Sequence, residues 1–207
     1  MLCDAVQVAT FDMVEDFWGI FNNIRPPSRL NPGSNYHLFK VGIEPTWEHQ
    51  ANMAGGKWNY CIPKKDGKKV IDDMWLYTIL AMIGENFEAG HELCGAVISL
   101  RKAGDRVAVW TKSADDEKAC LEIGEQFKSA IQECLQVACR KTADLCHSDE
   151  RYTLYCPSGS PLMRANVRLQ SQNEVPKDAL EYHVHNDALQ SSKSKNDKGV
   201  KVAKFTL

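Results

Sequence analysis

The spacing of apolar residues along the chain predicts three amphipathic helices. The first follows a capping-box pattern at Asp12 to Glu15, a carboxylate with a glutamate three residues later, and stops at Pro26-Pro27. The second covers residues 72–83 and is closed by Gly84. The third begins at residues 113–116 and carries its apolar side chains on one face. Each helix can therefore pack one side against a sheet.

The first two helices carry more apolar surface than packing on a single sheet requires. Val14 and Trp18 lie at the edge of a wide apolar arc, which predicts that they reach the surface. The second helix is apolar around more than half of its circumference, with Leu76 and Leu80 in an outward stripe at positions i and i+4. The alternative interpretation places these side chains in the core.

Short runs of β-forming residues predict the strands of that sheet. They cover residues 36–40, 57–62, the two arms of a hairpin within 96–111, 179–185 and 200–205. Helical periodicity fades after residue 139, and the stretch at about 134–178 is predicted to be an inserted excursion.

The hairpin predicts a pair of arginines on one face of the sheet. If Lys102 to Asp105 form the loop, Arg101 lies opposite Arg106, and directly opposed residues point to the same side. Trp110 shares that side, because strand residues alternate between the two faces. The other face is apolar and carries Ala96, Ile98, Leu100, Val107 and Val109. Two opposed arginines repel unless an anion lies between them; the alternative is a solvated hairpin end.

A second candidate for binding chemistry is the segment Phe39 to Glu48. Pro45 keeps the residue before it extended and cannot donate to a sheet, so Trp47 and Glu48 are predicted to lie in a loop after a strand. An indole beside a carboxylate can recognise a flat, cationic ligand that donates hydrogen bonds. The alternative is that Trp47 is a packing residue.

Composition restricts the function further. With 207 residues, 43% hydrophobic and 25% charged, the chain suits one domain with one substantial core. A formal net charge of -2 excludes a globally basic nucleic-acid coat, so any anion binding must be local. The sequence shows no signal peptide and no 18-residue apolar run, which predicts a soluble, intracellular protein without a membrane span.

Neither catalysis nor metal binding is indicated by the remaining motifs. The H-E-x-x-H, G-x-S-x-G and P-loop patterns are missing, which favours a binding module over an enzyme. The eight cysteines show no C-x-x-C spacing, which predicts reduced thiols and neither a metal site nor a cofactor. A zinc site built from Cys134, Cys139, Cys146-His147 and Cys156 is the alternative.

Six motifs occur together and in order: Val14-Glu-Asp-Phe-Trp18; Phe39-Lys-Val-Gly-Ile-Glu-Pro-Thr-Trp-Glu48; Gly55-Gly-Lys-Trp58; Trp75-Leu76 with Ile83-Gly84-Glu85; Cys94-Gly-Ala-Val97; and Val109-Trp-Thr111. With this set, the chain resembles the family of eukaryotic translation initiation factor 4E, which binds the messenger-RNA cap. The resemblance runs from Phe11 to Phe127 and returns at 182–187. It implies one cap-binding domain over residues 1–207 with an α+β fold. A strongly curved antiparallel sheet would carry three helices on its convex face and the cap slot on its concave side.

The resemblance also assigns roles to residues. The cap-binding residues would be Trp47, Glu48, Arg101, Arg106 and Trp110. A second surface would dock a helix of a scaffold partner, as in initiation factor 4G or the 4E-binding proteins, through Val14, Trp18, Leu76, Leu80 and Gly84. The implied partners are thus messenger RNA with a 7-methylguanosine cap and one of these proteins. The chain would be a monomer outside that complex, act in the cytoplasm with the nucleus as a second location, and need no cofactor or metal.

The chain departs from the family pattern at four places. The family's second stacking tryptophan would fall at Met1, so the chain begins too late to include it. Tyr77 stands where many members carry a glutamate that holds the partner helix, and Ala103 replaces a residue that is often basic. The stretch at 134–178 is longer than the usual connection. The alternative function is therefore a protein-interaction module or translational repressor with weakened cap binding.

Overall fold

Six strands form one antiparallel sheet in the computed structural model, which describes residues 6–62, 67–147, 180–185 and 205–206. The strands are β1 Asn35–Phe39, β2 Gly56–Ile62, β3 Leu93–Ser99, β4 Asp105–Thr111, β5 Leu180–Val184 and β6 Phe205–Thr206, in the order β1-β3-β4-β2-β5-β6. The helices are α1 Val14–Phe21, α2 Gln50–Met53, α3 Gly67–Ile83 and α4 Glu117–His147, with 3-10 turns at Pro27–Arg29 and Gly90–Glu92. The sheet is curved and does not close, which confirms the predicted α+β fold.

The main core lies between one face of this sheet and the three longer helices. Alternate residues of β2 and β4 point into it, and Trp58, Val107 and Val109 are fully buried. The Trp58 indole N–H donates to the carbonyl of Cys120 on α4 at 2.7 Å, so the largest core side chain has its polar atom satisfied. The opposite face of the sheet is thereby left for other contacts.

Helix α1 begins one residue later than its capping pattern predicts. Its N-cap is Met13, whose side chain makes no capping hydrogen bond, so the predicted capping box at Asp12 is wrong. The Phe17 side chain is buried, while Val14 and Trp18 are 58% and 37% exposed. The prediction that this edge of the helix reaches the surface is therefore confirmed.

Helix α3 begins at Gly67, five residues before the predicted start. Asp72 is not its cap: the Asp72 carboxylate accepts hydrogen bonds from the Ser28 N–H at 2.7 Å and the Ser28 hydroxyl at 2.6 Å, which ties the helix to the first 3-10 turn. The helix ends at Ile83 as predicted, but Gly84 is not its left-handed residue. That conformation falls on Glu85, with φ of 54°.

Helix α4 begins at Glu117, directly after the stretch 113–116 where the sequence predicts its start. The Asp116 carboxylate accepts a hydrogen bond from the Ala119 N–H at 3.1 Å, which satisfies one of the free donors of the first turn. The helix continues to His147, so the predicted excursion at 134–178 starts inside it. The remainder of that stretch, 148–178, lies outside the described residues, as does most of the predicted strand 200–205.

The hairpin of β3 and β4 differs from the predicted register by two residues. Ser99, not Arg101, lies opposite Arg106, so the predicted arginine pair is wrong. Six residues, 100–105, therefore lie between the last opposed pair, rather than the predicted four. The Leu100 N–H donates to the carbonyl of Ser34 at 3.0 Å, on the β1 side of β3. Since a slip of two residues preserves the alternation, the side chains still occupy the predicted faces. Among the described residues, no helix is long and apolar enough to cross a membrane.

Candidate ligand-binding pocket

A pocket of about 230 Å³ lies on the sheet face that the three longer helices leave uncovered. It crosses β1, β3, β4 and β2, and is lined by Asn35, His37, Lys57, Asn59, Val97, Ser99, Arg101, Arg106, Ala108 and Trp110. Three of these residues are cationic and none is acidic. Such a lining creates a positive local potential, although the whole chain carries a formal charge of -2.

The guanidinium of Arg101 is held at the edge of the pocket by neutral acceptors. It donates to the Asn35 side-chain oxygen at 2.8 Å, to the Leu100 carbonyl at 2.8 Å and to the Ser34 carbonyl at 3.3 Å. The backbone N–H of Arg101 donates to the Asp105 carboxylate at 3.0 Å, which closes the hairpin loop. These bonds orient the guanidinium, and among the described residues no carboxylate forms an ion pair with it.

The exposed side chain of Arg106 contributes the second arginine charge. In the sheet it stands between Ser99 on β3 and Cys61 on β2, on the same face as the pocket. Arg101 and Arg106 thus line one pocket from different segments. The sequence prediction of a shared face is confirmed, although the predicted direct opposition is not.

Trp110 forms a wall of the pocket and is only 8% exposed. Gly95 lies opposite it on β3, and a Cβ at that glycine would come within 2.5 Å of the Phe39 ring, so the absent side chain lets Phe39 and Trp110 meet at 5.4 Å. His185 packs on the indole at 4.3 Å between ring centroids, and the Lys57 amine lies 5.5 Å from it. The indole is therefore fixed on three sides.

Trp47 and Glu48 lie in the turn between β1 and α2. The half-buried Trp47 side chain packs against a small cluster formed by Cys94, Val97, Ala108 and Trp110, while Glu48 is exposed. Neither side chain lines the pocket itself. The structure therefore brings Trp47 to the same apolar cluster as Trp110 and places Glu48 next to it in the chain, at the surface.

The one-turn helix α2, which the sequence pattern did not indicate, anchors this turn. Asn52 is fully buried, and its amide donates to the carbonyls of Glu44 at 2.8 Å and Thr46 at 2.6 Å. On the preceding residue, the Ala51 carbonyl accepts from the Cys94 thiol at 3.4 Å, which links the turn to β3. Burial raises the pKa of that thiol to about 11, so it stays a neutral donor.

His37 is a pocket residue whose side chain is only partly satisfied. Its Nδ1 atom is buried and has no hydrogen-bond partner among the described residues. Burial lowers the pKa of the imidazole below its usual 6.5, and the nearby Arg101 charge lowers it further. The histidine is therefore neutral near pH 7. Its alternation with Tyr36 and Leu38 on β1 is the signal that could have assigned it to this face.

The five residues predicted to dock a partner lie on the helix layer, away from the pocket. Val14 and Trp18 on α1 are exposed, Leu76 and Leu80 on α3 are half-buried, and Gly84 is exposed just after α3 ends. A Cβ at Gly84 would lie 3.0 Å from the Leu80 carbonyl oxygen, so the glycine keeps the end of α3 uncrowded. These side chains leave apolar surface on the outer side of the helices.

A family model described as eukaryotic initiation factor 4E matches residues 4–148. Initiation factor 4E-1 of Triticum aestivum is 50% identical over 124 residues, 60% of this chain and 56% of the relative. Initiation factor 4E of Dictyostelium discoideum is 48% identical over 126 residues, 61% of this chain and 49% of the relative. The matched region thus spans about half the length of these curated relatives.

Two solved structures of nematode proteins resemble the whole fold. Ascaris suum eIF4E-3 in complex with the m2,2,7G cap has a TM-score of 0.69 at 30% identity, and the match covers 98% of this chain and 84% of the other. Caenorhabditis elegans eIF4E-3 in complex with the 4E-binding protein Mextli and a cap analog has a TM-score of 0.66 at 30% identity, with coverage of 97% and 84%.

Proposed function

Because the chain belongs to the eukaryotic initiation factor 4E family, we propose that it binds the 7-methylguanosine cap of messenger RNA and recruits a scaffold partner to it. The observation that carries this proposal is the pocket lined by Lys57, Arg101 and Arg106, with Trp110 as a wall. A cationic pocket beside an indole suits a ligand that joins a triphosphate to an aromatic base. The nematode relatives bound to cap and to cap analog support it.

The base end of the ligand would be recognised by Trp47 and Glu48. Methylation at N7 gives guanine a delocalised positive charge, so an indole stacks on it more strongly than on unmethylated guanine, by ~1 to 2 kcal/mol when desolvated. A carboxylate only accepts hydrogen bonds, so Glu48 can take both donors of the guanine Watson–Crick edge. Both side chains are accessible in the turn before α2. Trp110 would lie near the N7 methyl group.

The phosphate end would be held by Arg101 and Arg106, with Lys57 completing the cationic lining. Arginine suits this task because its planar guanidinium presents several donors to phosphate oxygens. Arg101 is already oriented by Asn35 and two carbonyls, so binding would cost little additional ordering. In this assignment, the phosphates of the cap are the anion that binds in the positively charged pocket.

A second surface on α1 and α3 would dock an amphipathic helix of a scaffold initiation factor 4G or a 4E-binding protein. Val14 and Trp18 supply exposed apolar area, Leu76 and Leu80 continue it, and Gly84 leaves room at its end. The Caenorhabditis elegans relative in complex with Mextli supports this assignment. The protein would thus be a cytoplasmic binding factor, monomeric outside its complex, with no catalytic role.

Binding of 7-methyl-GTP and GTP, followed by tryptophan fluorescence, tests the cap-binding proposal. We expect the methylated nucleotide to bind more tightly. Trp47→Leu should weaken its binding about 5- to 150-fold, because a stacked base contributes about 1–3 kcal/mol. Glu48→Gln should cost a similar factor, because a hydrogen bond to a charged group contributes about 1.5–3 kcal/mol.

Glu44→Gln is the matched control for Glu48→Gln, because Glu44 is an exposed carboxylate in the same turn. It should leave the affinity for 7-methyl-GTP unchanged. Equal, weak responses to both nucleotides would contradict cap binding. If the surface on α1 and α3 still bound a partner helix, that result would favour the alternative function, a protein-interaction module or repressor.

A further inference from the structure

The pocket contains a titratable side chain to which the proposed function gives no role. His37 lines it from β1, together with Arg101, Arg106 and Lys57. One nitrogen of its ring, Nδ1, is buried without a partner in the described part of the chain. A buried polar atom without a partner is uncommon in folded proteins and calls for an explanation. A ligand oxygen in this pocket would provide one.

Among the described residues, the charged side chains that line the pocket with His37 are all cationic. Lys57 faces it from β2, Arg106 from β4 and Arg101 from the loop after β3. Strand β3 itself contributes Val97 and Ser99, neither of which titrates in this range. Partial burial, with a further contribution from the Arg101 charge, lowers the pKa of the imidazole and keeps it neutral.

A bound triphosphate would reverse that balance. Its negative charges would neutralise the three cations and supply oxygen acceptors beside the ring. A neutral imidazole carries one N–H, whereas the imidazolium carries two and can donate from either nitrogen. A half-turn of the ring about its Cβ–Cγ bond exchanges its edges, so the pocket side can present either nitrogen.

We propose that His37 is a ligand-contacting residue of the phosphate end of this site, and that binding of the anion there transfers one proton from solvent to its imidazole. The inference rests on the proposed function for the identity of the anion, a 5′–5′ triphosphate bridge. Because the bound state holds one more proton than the free state, the affinity rises as the pH falls. When binding takes up one proton, the affinity can rise by at most about tenfold for each pH unit by which the pH falls.

The test compares the wild type with His37→Gln, which keeps a polar side chain but cannot titrate. The ligand is the dinucleotide 7-methylguanosine-triphosphate-guanosine, because its bridging phosphates lack the terminal ionisation of 7-methyl-GTP. Affinity is measured from pH 7.5 to 6.0. Effects of pH that do not involve residue 37 occur equally in both proteins, so the ratio of the two affinities isolates the histidine.

We expect that ratio to change at least about threefold in favour of the wild type as the pH falls. His91→Gln, at an exposed histidine outside the pocket, should follow the wild-type profile. Parallel profiles for the wild type and His37→Gln would overturn the proton transfer, even where the preference for the methylated base survives.

A second measurement keeps the inference testable if cap binding itself fails. Inorganic triphosphate is added to histidine-labelled protein, and the His37 imidazole is titrated by NMR, with His37→Gln used to assign its signal. A higher imidazole pKa in triphosphate supports the inference whatever base the site prefers. An unchanged titration, or a variant that binds the dinucleotide with wild-type affinity at pH 6.0, would refute it.

Discussion

His185, directly after β5, illustrates how strongly the sheet restricts a single side chain. Its ring packs on Trp110, its backbone N–H donates to the Gly55 carbonyl at 2.9 Å, and its Nε2 atom is buried without a partner in the described residues. Burial, with a smaller effect of the Lys57 charge, lowers the pKa of this imidazole to about 3. The histidine is therefore neutral in the folded protein throughout the physiological range.

This burial predicts acid sensitivity of the fold. The pKa of His185 is below the 6.5 of an unfolded histidine, so the unfolded chain binds more protons below pH 6.5. The contribution of His185 to the free energy of unfolding is therefore fully present above pH 6.5. Below that pH it falls by at most about 1.4 kcal/mol per pH unit. Between pH 7 and pH 5, this residue should reduce the free energy of unfolding by about 2 kcal/mol.

Urea denaturation at several pH values measures this effect. His185→Gln should lower stability at pH 7 but remove about 2 kcal/mol of the loss between pH 7 and pH 5. The exposed His91 gives the comparison, because His91→Gln should retain the full loss. Should His185→Gln and the wild type lose stability in parallel, the neutral buried histidine would not be the cause.

The turn that carries Trp47 depends on the short element α2. Asn52 has both amide hydrogens engaged, with the Glu44 and Thr46 carbonyls, and these bonds hold the backbone immediately before the indole. Asn52→Ala should lower the free energy of unfolding by about 1–3 kcal/mol, because it removes two side-chain hydrogen bonds that a fully buried residue makes to the turn. It should also weaken binding of 7-methyl-GTP, because Trp47 and Glu48 lose their fixed position.

Gln50→Ala is the control for this prediction, since Gln50 is exposed on the same helical turn. Stability comes from urea denaturation and affinity from tryptophan fluorescence. Asn52→Asp adds a sharper test, because a carboxylate of the same shape would face two carbonyl oxygens. If Asn52→Ala destabilised the fold but bound 7-methyl-GTP with full affinity, the turn would not need this anchor for binding.

The elements also show which features the sequence could predict. The alternation along β3 and β4 assigned Arg101, Arg106 and Trp110 to one face even though the register was wrong, because the error was an even number of residues. Apolar periodicity found the three longer helices, since each has a wide buried face. Their starts were less accurate: Asp12 and Asp72 resemble caps, but Asp72 caps a neighbouring turn instead.

Other features of the site depend on contacts between distant residues and left no local signal. Helix α2 has only four residues, too few to show a helical period. The roles of Asn52 and His37 follow from which strands meet, and no motif indicates them. Leu100 pairs with Ser34, a residue 66 positions earlier whose proximity only the folded sheet reveals.

At the scale of the whole molecule, the sheet separates two binding surfaces. The pocket and its small cluster around Trp110 lie on one face, and α1, α3 and α4 cover the other. The sheet and the main core therefore lie between Arg106 and Trp18. Since protein interiors are closely packed and no described side chain belongs to both surfaces, loss of a side chain on one surface should leave the other intact.

This separation predicts that the two proposed activities can be removed independently. Trp18→Ala should weaken binding of a helical peptide from a 4E-binding protein more than about 30-fold, because a central tryptophan of such an interface contributes 2 kcal/mol or more. Asp16→Asn, on the exposed polar side of α1, should change it little. Arg106→Ala should weaken binding of 7-methyl-GTP and leave the peptide affinity within about twofold.

Isothermal titration calorimetry of each variant, with 7-methyl-GTP and with the peptide, measures how each substitution changes both affinities. If the Trp18→Ala variant stayed folded but lost 7-methyl-GTP binding, the two faces would communicate through the sheet. Coupling between the two ligands is measured separately in the wild type, where each would change the affinity of the other by the same factor. Equal peptide affinities with and without 7-methyl-GTP would therefore establish two independent surfaces on one sheet.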